Sequence, residues 1–315
     1  MTGSLAFFFC VEPGWLEPQA RLLARSIRRS AGRYADTEVH AVQPRGTDPL
    51  TPETTDCFAA CDVTHHAGRW NTRQANLGTA NKVHAAALIE TRSEAEILVF
   101  LDTDTVVLGE PSELDLHDDE DIAVQLTTRG LGGTTGPSDP LEPYWAACAQ
   151  ACGVELPAMV DTLISRKRVR GYYNGGLVAM RRSAGIGTQW RDVLNRIDPL
   201  THERRRYMDQ VSLSLVAAAR PERVRILPPT YNYNIRERGQ FGSELDTLPL
   251  DEIVIAHYHK AFSRPDFLPR VRPALDPQSD AFRWLAPQLP LPPVMKRWRH
   301  PVRDRLEKLA GLRRG

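Results

Sequence analysis

The sequence predicts an α/β fold on a mostly parallel sheet, and three observations carry that expectation. The apolar runs Leu5–Val11 and Ala95–Leu101 have the length and the aromatic or β-branched content of strands buried on both faces. Between such runs lie segments with apolar residues at helical spacing, which implies helical crossovers between parallel strands. Finally, 315 residues that are 42% hydrophobic and 25% charged have the profile of a globular chain.

The elements follow in order. Leu5–Val11 has no basic residue ahead of it and no small-residue cleavage site behind it, so a first strand is expected rather than a signal peptide. Pro18–Ser30 places Ala20, Leu23, Ala24 and Ile27 on one helical face, with arginines on the other. Glu38–Val42 is a short second strand, Thr79–Thr91 a helix and Ala95–Leu101 a buried strand. Ile122–Leu126 is a further strand. The segment after it, Thr127–Pro143, is dense in Gly, Pro, Thr and Ser, and loops that long are usually functional. Tyr144–Cys152 and Met208–Ala219 read as helices, Gly176–Met180 and Glu252–Tyr258 as strands. No apolar run approaches the roughly 18 residues of a membrane span.

Charge divides the chain unevenly. Forty Lys and Arg against 39 Asp and Glu give +1 overall, which excludes the basic excess of a nucleic-acid binder. Eight of the basic residues and only two acidic ones fall in 294–315, so this end carries +6 and the rest −5. Residues 1–265 are expected to form one domain and 266–315 a Pro-rich, basic extension. Met295, Trp298, Val302, Leu306 and Leu309 recur among the tail's basic residues. This pattern fits an anionic membrane surface, a solvated basic helix, or a helix docked on the acidic body. Five cysteines are odd in number and too few for a disulfide scaffold, so a reducing cytoplasm is expected, with the tail on the inner face of the membrane if it binds there. Cys57-x3-Cys61 and Cys148-x3-Cys152 have a spacing permissible for zinc, but it also marks one helical face, and packing is the expected role.

The strongest chemical signal is Ile97-Leu-Val-Phe-Leu-Asp102-Thr-Asp104-Thr-Val. A buried strand ends in two carboxylates one residue apart, at the end of the sheet where open α/β folds bind ligands. Two hard oxygen donors there suit Mn²⁺ or Mg²⁺. The same stretch resembles the first motif of haloacid-dehalogenase-type phosphatases, in which Asp102 would be the nucleophile and Asp104 the general acid. That family also needs a later Lys and a second acidic pair after a strand, whereas the last strand here ends in histidines.

Three further segments complete the pattern. Tyr172-Tyr-Asn174-Gly175-Gly176 enters a strand through small residues, as if something approaches its backbone closely. Asp209-Gln210 opens an apolar helix, and Ile253-Val-Ile-Ala-His257-Tyr-His259-Lys260 offers imidazoles suited to a transition metal. With Lys82-Val-His84, these motifs resemble, in the same chain order, those of the GT-A fold nucleotide-sugar glycosyltransferases, most closely family 8, the glycogenin-like and lipopolysaccharide galactosyltransferase-like group. The resemblance covers roughly residues 5–265.

That resemblance implies a metal-dependent transfer of a hexose from a nucleotide diphosphate sugar, with UDP the expected nucleotide, to a hydroxyl of a saccharide or glycolipid. It implies retention of configuration. Asp102 would meet the metal and the donor ribose, and Asp104 and His257 would ligate the metal. Asn174 and Asp209 would bind the transferred sugar, with Gln210 beside the anomeric carbon. Lys82, Thr103, Gly175 and Gly176 would contact the donor. Family 8 continues its metal His as x-Gly-x-x-Lys-Pro-Trp, whereas this chain reads Tyr258-His259-Lys260-Ala-Phe-Ser-Arg264-Pro265-Asp266. The phosphate clamp then falls to Arg264 or Lys260, and His259 competes with His257 for the metal. Trp15 either stacks on a base or packs against its own domain, and Arg69, Arg73 and Asn76 either line the diphosphate or belong to a solvated loop. The acceptor is expected to enter over Thr127–Pro143, a loop able to close as a lid. A non-catalytic nucleotide-sugar-binding protein is the remaining alternative.

Overall fold

The computed structural model describes residues 4–200 and 207–292. The basic segment expected at a membrane surface, 294–315, lies outside the described residues.

The first half alternates strand and helix. In chain order it comprises β1 (Leu5–Cys10), α1 (Glu17–Ser30), β2 (Glu38–Gln43), the two-residue β3 (Arg45–Gly46), α2 (Pro52–Ala60), β4 (Val63–Arg69), α3 (Asn81–Ile89), β5 (Ile97–Leu101) and β6 (Thr105–Val107). The second half comprises β7 (Ile122–Leu126), α4 (Glu142–Cys152), β8 (Met159–Asp161), β9 (Arg168–Arg170), β10 (Tyr173–Arg181), α5 (Ile186–Ile197), α6 (Met208–Ala218), β11 (Val224–Ile226), β12 (Tyr233–Asn234), β13 (Ile255–His257), α7 (Phe267–Arg270) and α8 (Asp280–Leu285).

Eight strands form the central sheet in the order β11-β7-β10-β5-β1-β2-β4-β3. β1 pairs parallel with β2 and β5, β2 with β4, and β11 with β7. β10 departs from the expected direction, running antiparallel to both β5 and β7. The final strand is shorter than the predicted Glu252–Tyr258, because Leu250–Glu252 turns as a 3-10 helix before β13 begins. β13 pairs with β12 and β6 in a small second sheet.

Alternate residues of the central strands enter separate cores. Phe7, Phe9, Val99 and Leu101 pack with Leu23, Ile27 and Phe58 from α1 and α2. Phe8, Leu98 and Phe100 pack on the other face with Val83, Trp190 and Leu215 from α3, α5 and α6. Phe7, Phe8 and Phe9 are fully buried, each worth about 2 kcal/mol of transfer free energy. A third cluster joins Val106, Tyr233 and Ala256 of the small sheet to Leu268, Leu285 and Leu291. The described part of the C-terminal extension therefore packs against the body.

This arrangement determines where a ligand fits. After β1 the chain turns to β2 on one side, while β5 lies on the other. The loops leaving β1 and β5 thus diverge at a topological switch point, the crevice where open α/β sheets bind ligands.

Candidate functional site

A cleft of about 340 Å³ opens at that switch point. The loop after β1 contributes Glu12, Trp15 and Leu16, α1 contributes Gln19, and the segment before α3 contributes Leu77, Gly78 and Thr79. Lys82 and Phe100 line it, and Asp102, Thr103 and Asp104 form its inner end.

Lys82 is the hub of the inner end. Its ammonium lies 2.8 Å from Asp102 Oδ1 and 3.4 Å from Asp209 Oδ2, and it donates to the Gly175 carbonyl at 2.9 Å. Phe100 lies beneath it, 5.3 Å from the ammonium to the ring centre. Burial opposes the charge on Lys82, but the neighbouring carboxylates Asp102 and Asp209 outweigh burial and hold its pKa above the usual lysine range. Asp209 shifts upward: its burial outweighs the attraction of Lys82. Its Oδ1 is buried without a hydrogen-bond partner.

Asp104 forms the second half. Its Oδ1 is 3.2 Å from His257 Nε2 and its Oδ2 is 3.7 Å from His259 Nδ1. Burial would raise the Asp104 pKa, but the charge of His257 drives it well below the usual carboxylate range. Burial would likewise neutralise His257, yet Asp104 raises its pKa. His259 shifts down, through repulsion by His257 and then through burial. The other His257 nitrogen, Nδ1, is bonded to Asn232 Oδ1 at 2.8 Å, and Asn232 holds this place with a φ of 63°.

The two glycines explain how the halves meet. A Cβ on Gly175 would lie 3.2 Å from Asp209 Oδ2, and one on Gly176 only 2.8 Å from His257 Cε1 and Nδ1. The groups approaching this backbone are therefore the protein's own site residues. The Asp102 N–H donates to the Gly176 carbonyl at 2.7 Å, tying the end of β5 to β10. Asn174 accepts the Gly176 N–H at 2.9 Å, so its carbonyl oxygen is engaged in shaping this turn.

Most of the predicted residues thus converge. Lys82, Asp102, Asp209 and Gly175 form one half, with Gln210 Cγ 3.5 Å from the Gly175 Cβ position. Asp104, His257 and Gly176 form the other. Thr103 lines the cleft and uses its hydroxyl to bind the Cys10 carbonyl at the end of β1. Lys260 and Arg264 are exposed beyond β13 and are not among the cleft-lining residues. Arg69, Arg73 and Asn76 are not among them either; Arg73 lies 3.7 Å from Asp198. The arginine that lines the cleft is Arg45, paired with Glu12, which also accepts from Asn81 at 3.0 Å.

Sequence reasoning missed Asn232, Glu12 and Arg45. The strand-edge position of Arg45 in a two-residue strand leaves no periodic signal, and Asn232 sits in a loop. Both α2 and α5 were also missed, although Ile186, Trp190, Leu194 and Ile197 of α5 repeat at helical spacing and are fully buried.

The donor set fits a divalent ion. Asp104, His257 and His259 each offer an atom within 4.8 Å of the others, a mix of carboxylate oxygen and imidazole nitrogen suited to a first-row metal such as Mn²⁺. Among the described residues no other group of three such side chains gathers in this way. Cys57, Cys61, Cys148 and Cys152 are all free thiols, and burial pushes Cys57 and Cys148 up to about 11.

The profile of a family described as Rhodobacterales glycosyltransferase domain matches residues 7–220. No curated protein sequence matches the chain. Among solved structures, the galactosyltransferase LgtC, in complex with donor and acceptor sugar analogues, aligns over 92% of this chain and 98% of its own, at 14% identity and a TM-score of 0.56. The apo glycosyltransferase GlyE of Streptococcus pneumoniae TIGR4 aligns over 83% of this chain and 56% of its own, at 14% identity and a TM-score of 0.51. The bifunctional glycosyltransferase WbbM aligns over 92% and 52%, at 12% identity and a TM-score of 0.50. At such identities the likeness is one of fold, and the fold is GT-A.

Proposed function

This chain belongs to the Rhodobacterales glycosyltransferase family, and from that premise we propose that it transfers a hexose from a nucleotide diphosphate sugar to an acceptor hydroxyl. UDP is the expected nucleotide, a saccharide or glycolipid the expected acceptor, and the reaction proceeds with retention. The observation that supports this reading is the joined cluster at the switch point, where Lys82 lies between Asp102 and Asp209 while Asp104 meets His257.

The residues divide the work. Lys82, kept charged by two carboxylates, is placed to stabilise negative charge on a departing diphosphate. A divalent ion, Mn²⁺ or Mg²⁺, would be held by Asp104 and His257 beside Asp102 and would add Lewis-acid stabilisation of that charge. Asp209 has an unpartnered carboxylate oxygen with which to orient a sugar hydroxyl. Gln210, next to it at the start of α6, would face the anomeric carbon. Asn174 holds the Gly175–Gly176 backbone and offers its amide nitrogen to the same sugar. Leu16, Leu77 and Trp15 wall the outer cleft where the base would sit.

The acceptor would approach over residues 127–143. That segment is already anchored: Thr127 and Thr128 carbonyls accept from Leu163, Ile164 and Ser165, and the Gly132 carbonyl accepts from the Trp145 indole at 3.2 Å. No helix among the described residues is long and apolar enough to cross a membrane. The tail 294–315 would hold the enzyme against an anionic leaflet at the inner face of the membrane. Since Leu291 is buried in the body, truncation after residue 293 is the suitable comparison. Equal sedimentation of both forms with anionic vesicles would refute that contact.

The test of the reaction is release of nucleoside diphosphate from a panel of UDP- and GDP-sugars with Mn²⁺, using Asp104→Ala as control. Phosphate release from simple phosphomonoesters without nucleotide-sugar binding would instead favour the phosphatase reading. Binding without transfer to any supplied acceptor would favour a non-catalytic binder.

A further inference from the structure

We propose that Gln74 is a positioning residue for donor binding. Through Asn71 and Asn81 it fixes the wall of the cleft formed by Leu77, Gly78 and Thr79, although Gln74 is not itself among the cleft-lining residues. This rests on the nucleotide-sugar reading above. Along 71–79, the loop that joins β4 to α3, the only buried side chains are those of Asn71 and Gln74; Leu77 is half-buried. The wall is therefore anchored by hydrogen bonds of buried amides rather than by apolar burial. Networks of that kind hold one geometry when every member is satisfied.

Each polar atom of Gln74 is engaged. Its backbone N–H donates to Asn71 Oδ1 at 3.1 Å, and its carbonyl accepts from the Leu77 N–H at 2.8 Å and from Asn71 Nδ2 at 3.3 Å. Its amide nitrogen donates to Asn195 Oδ1 at 3.0 Å and to Asp198 Oδ2 at 3.2 Å, at the end of α5. Its amide oxygen lies 2.9 Å from His84 Nε2 of α3. The network continues into the cleft: Asn71 Nδ2 donates to Asn81 Oδ1 at 2.8 Å, and Asn81 Nδ2 to Glu12 Oε1 at 3.0 Å. Arg45, the partner of Glu12, donates to the Ala75 carbonyl at 3.1 Å. The β1 loop and the 77–79 wall are thus tied to each other and, through Gln74, to α5. A wall held in place before the donor arrives spares the cost of ordering it on binding. Lys82 has separate anchors in Asp102, Asp209 and the Gly175 carbonyl, so loss of Gln74 should loosen the wall and leave that ammonium in place.

The probe is whichever of UDP and GDP the full-length wild type binds more tightly with Mn²⁺, measured by calorimetry beside nucleoside diphosphate release and hydrogen exchange. Gln74→Met keeps the stem and removes the amide. It should weaken the nucleotide about tenfold and raise the donor KM in proportion, while kcat changes by less than about twofold. The N–H groups of Leu77 and Ala80, bonded to the Gln74 and Leu77 carbonyls at 2.8 and 3.1 Å, should exchange faster, and those of β1 should not. Asn195→Ala removes one acceptor from a half-buried position on α5 and should show the same pattern at about threefold. If Gln74→Met does not fold, Asn195→Ala decides. Phe58→Leu, in the core on the other face of the sheet, controls for stability: it should lower Tm without changing nucleotide affinity. Wild-type affinity in these Gln74 and Asn195 variants, or exchange that quickens throughout the chain rather than at 77–80, would overturn the assignment and leave the transferase reading intact. A wild type that binds neither UDP nor GDP would overturn both.

Discussion

Replacing Gly176 by Ala should displace His257, while the same change at Gly175 should be nearly silent. Neither glycine adopts a left-handed backbone, so alanine is conformationally admissible at both and the contrast rests on space. At Gly176 the new methyl would lie 2.8 Å from His257 Cε1 and Nδ1 and 2.9 Å from Asn232 Oδ1. Ordinary carbon contacts lie at about 3.5–4.0 Å, so His257 and Asn232 must retreat by roughly 0.7 Å. Both are buried, and no flexible chain end is available to move. Overpacking of this kind costs about 1–3 kcal/mol, reduced by the roughly 0.5 kcal/mol gained when glycine is removed from the unfolded chain. In a chain of this length each kcal/mol lowers Tm by about 2 °C, so a fall of roughly 1–5 °C is expected. At Gly175 the nearest neighbours are Asp209 Oδ2 at 3.2 Å, then Gln210 Cγ and Lys82 Nζ at 3.5 Å. Here the costs and gains should cancel to within about 0.5 kcal/mol. Thermal unfolding of both variants, paired with Mn²⁺ titration followed by electron paramagnetic resonance, reads the two effects separately. Gly176→Ala should lose about tenfold in Mn²⁺ affinity and Gly175→Ala little. The packing argument fails if Gly176→Ala melts with the wild type and binds Mn²⁺ equally well, or if Gly175→Ala proves the worse of the two.

Other residues give independent tests. Lys82→Met keeps the side-chain stem against Phe100 but leaves Asp209 buried without its cation, a loss of about 3 kcal/mol. The loss should shrink as pH falls, because burial already raises the Asp209 pKa and its protonation removes the unpaired charge, and urea unfolding across a pH series measures it. Glu17 accepts from the Gly14 N–H and from the Thr51 N–H and hydroxyl. Burial alone would raise the pKa of Glu17, but these bonds hold it below the usual value. Its contribution should be complete above the unfolded pKa of about 4.3 and lost as pH falls through the lower folded value. Glu17→Gln should therefore flatten the acid limb of a Tm-against-pH curve, and an unchanged limb would exclude this role. Trp15, which is 37% exposed at the cleft, should contribute about 1 kcal/mol to UDP binding by stacking. Trp15→Ala should weaken UDP roughly fivefold by calorimetry with little change in Tm.

Much of the framework was legible in the chain because it depends on near neighbours along it. The all-apolar β1 and β5, the amphipathic α1 and the carboxylates at the end of β5 follow from local pattern and from the known ends of parallel strands. Five motifs in a familiar order marked Lys82, Asp102, Asp104, Asn174, Asp209 and His257. Tertiary structure decided the rest. The direction of β10 is invisible in sequence, since an apolar run reads alike whether its neighbours are parallel or antiparallel. Asp104 meets His257 across 153 residues, and His257 meets Asn232 only because β12 and β13 bring their ends together in the small sheet. The close approach inferred at Gly176 was correct, but only the fold identified the approaching group as an imidazole. Periodicity records which face of an element is buried; which partner covers that face depends on how distant elements pack, and spacing along the chain does not encode that.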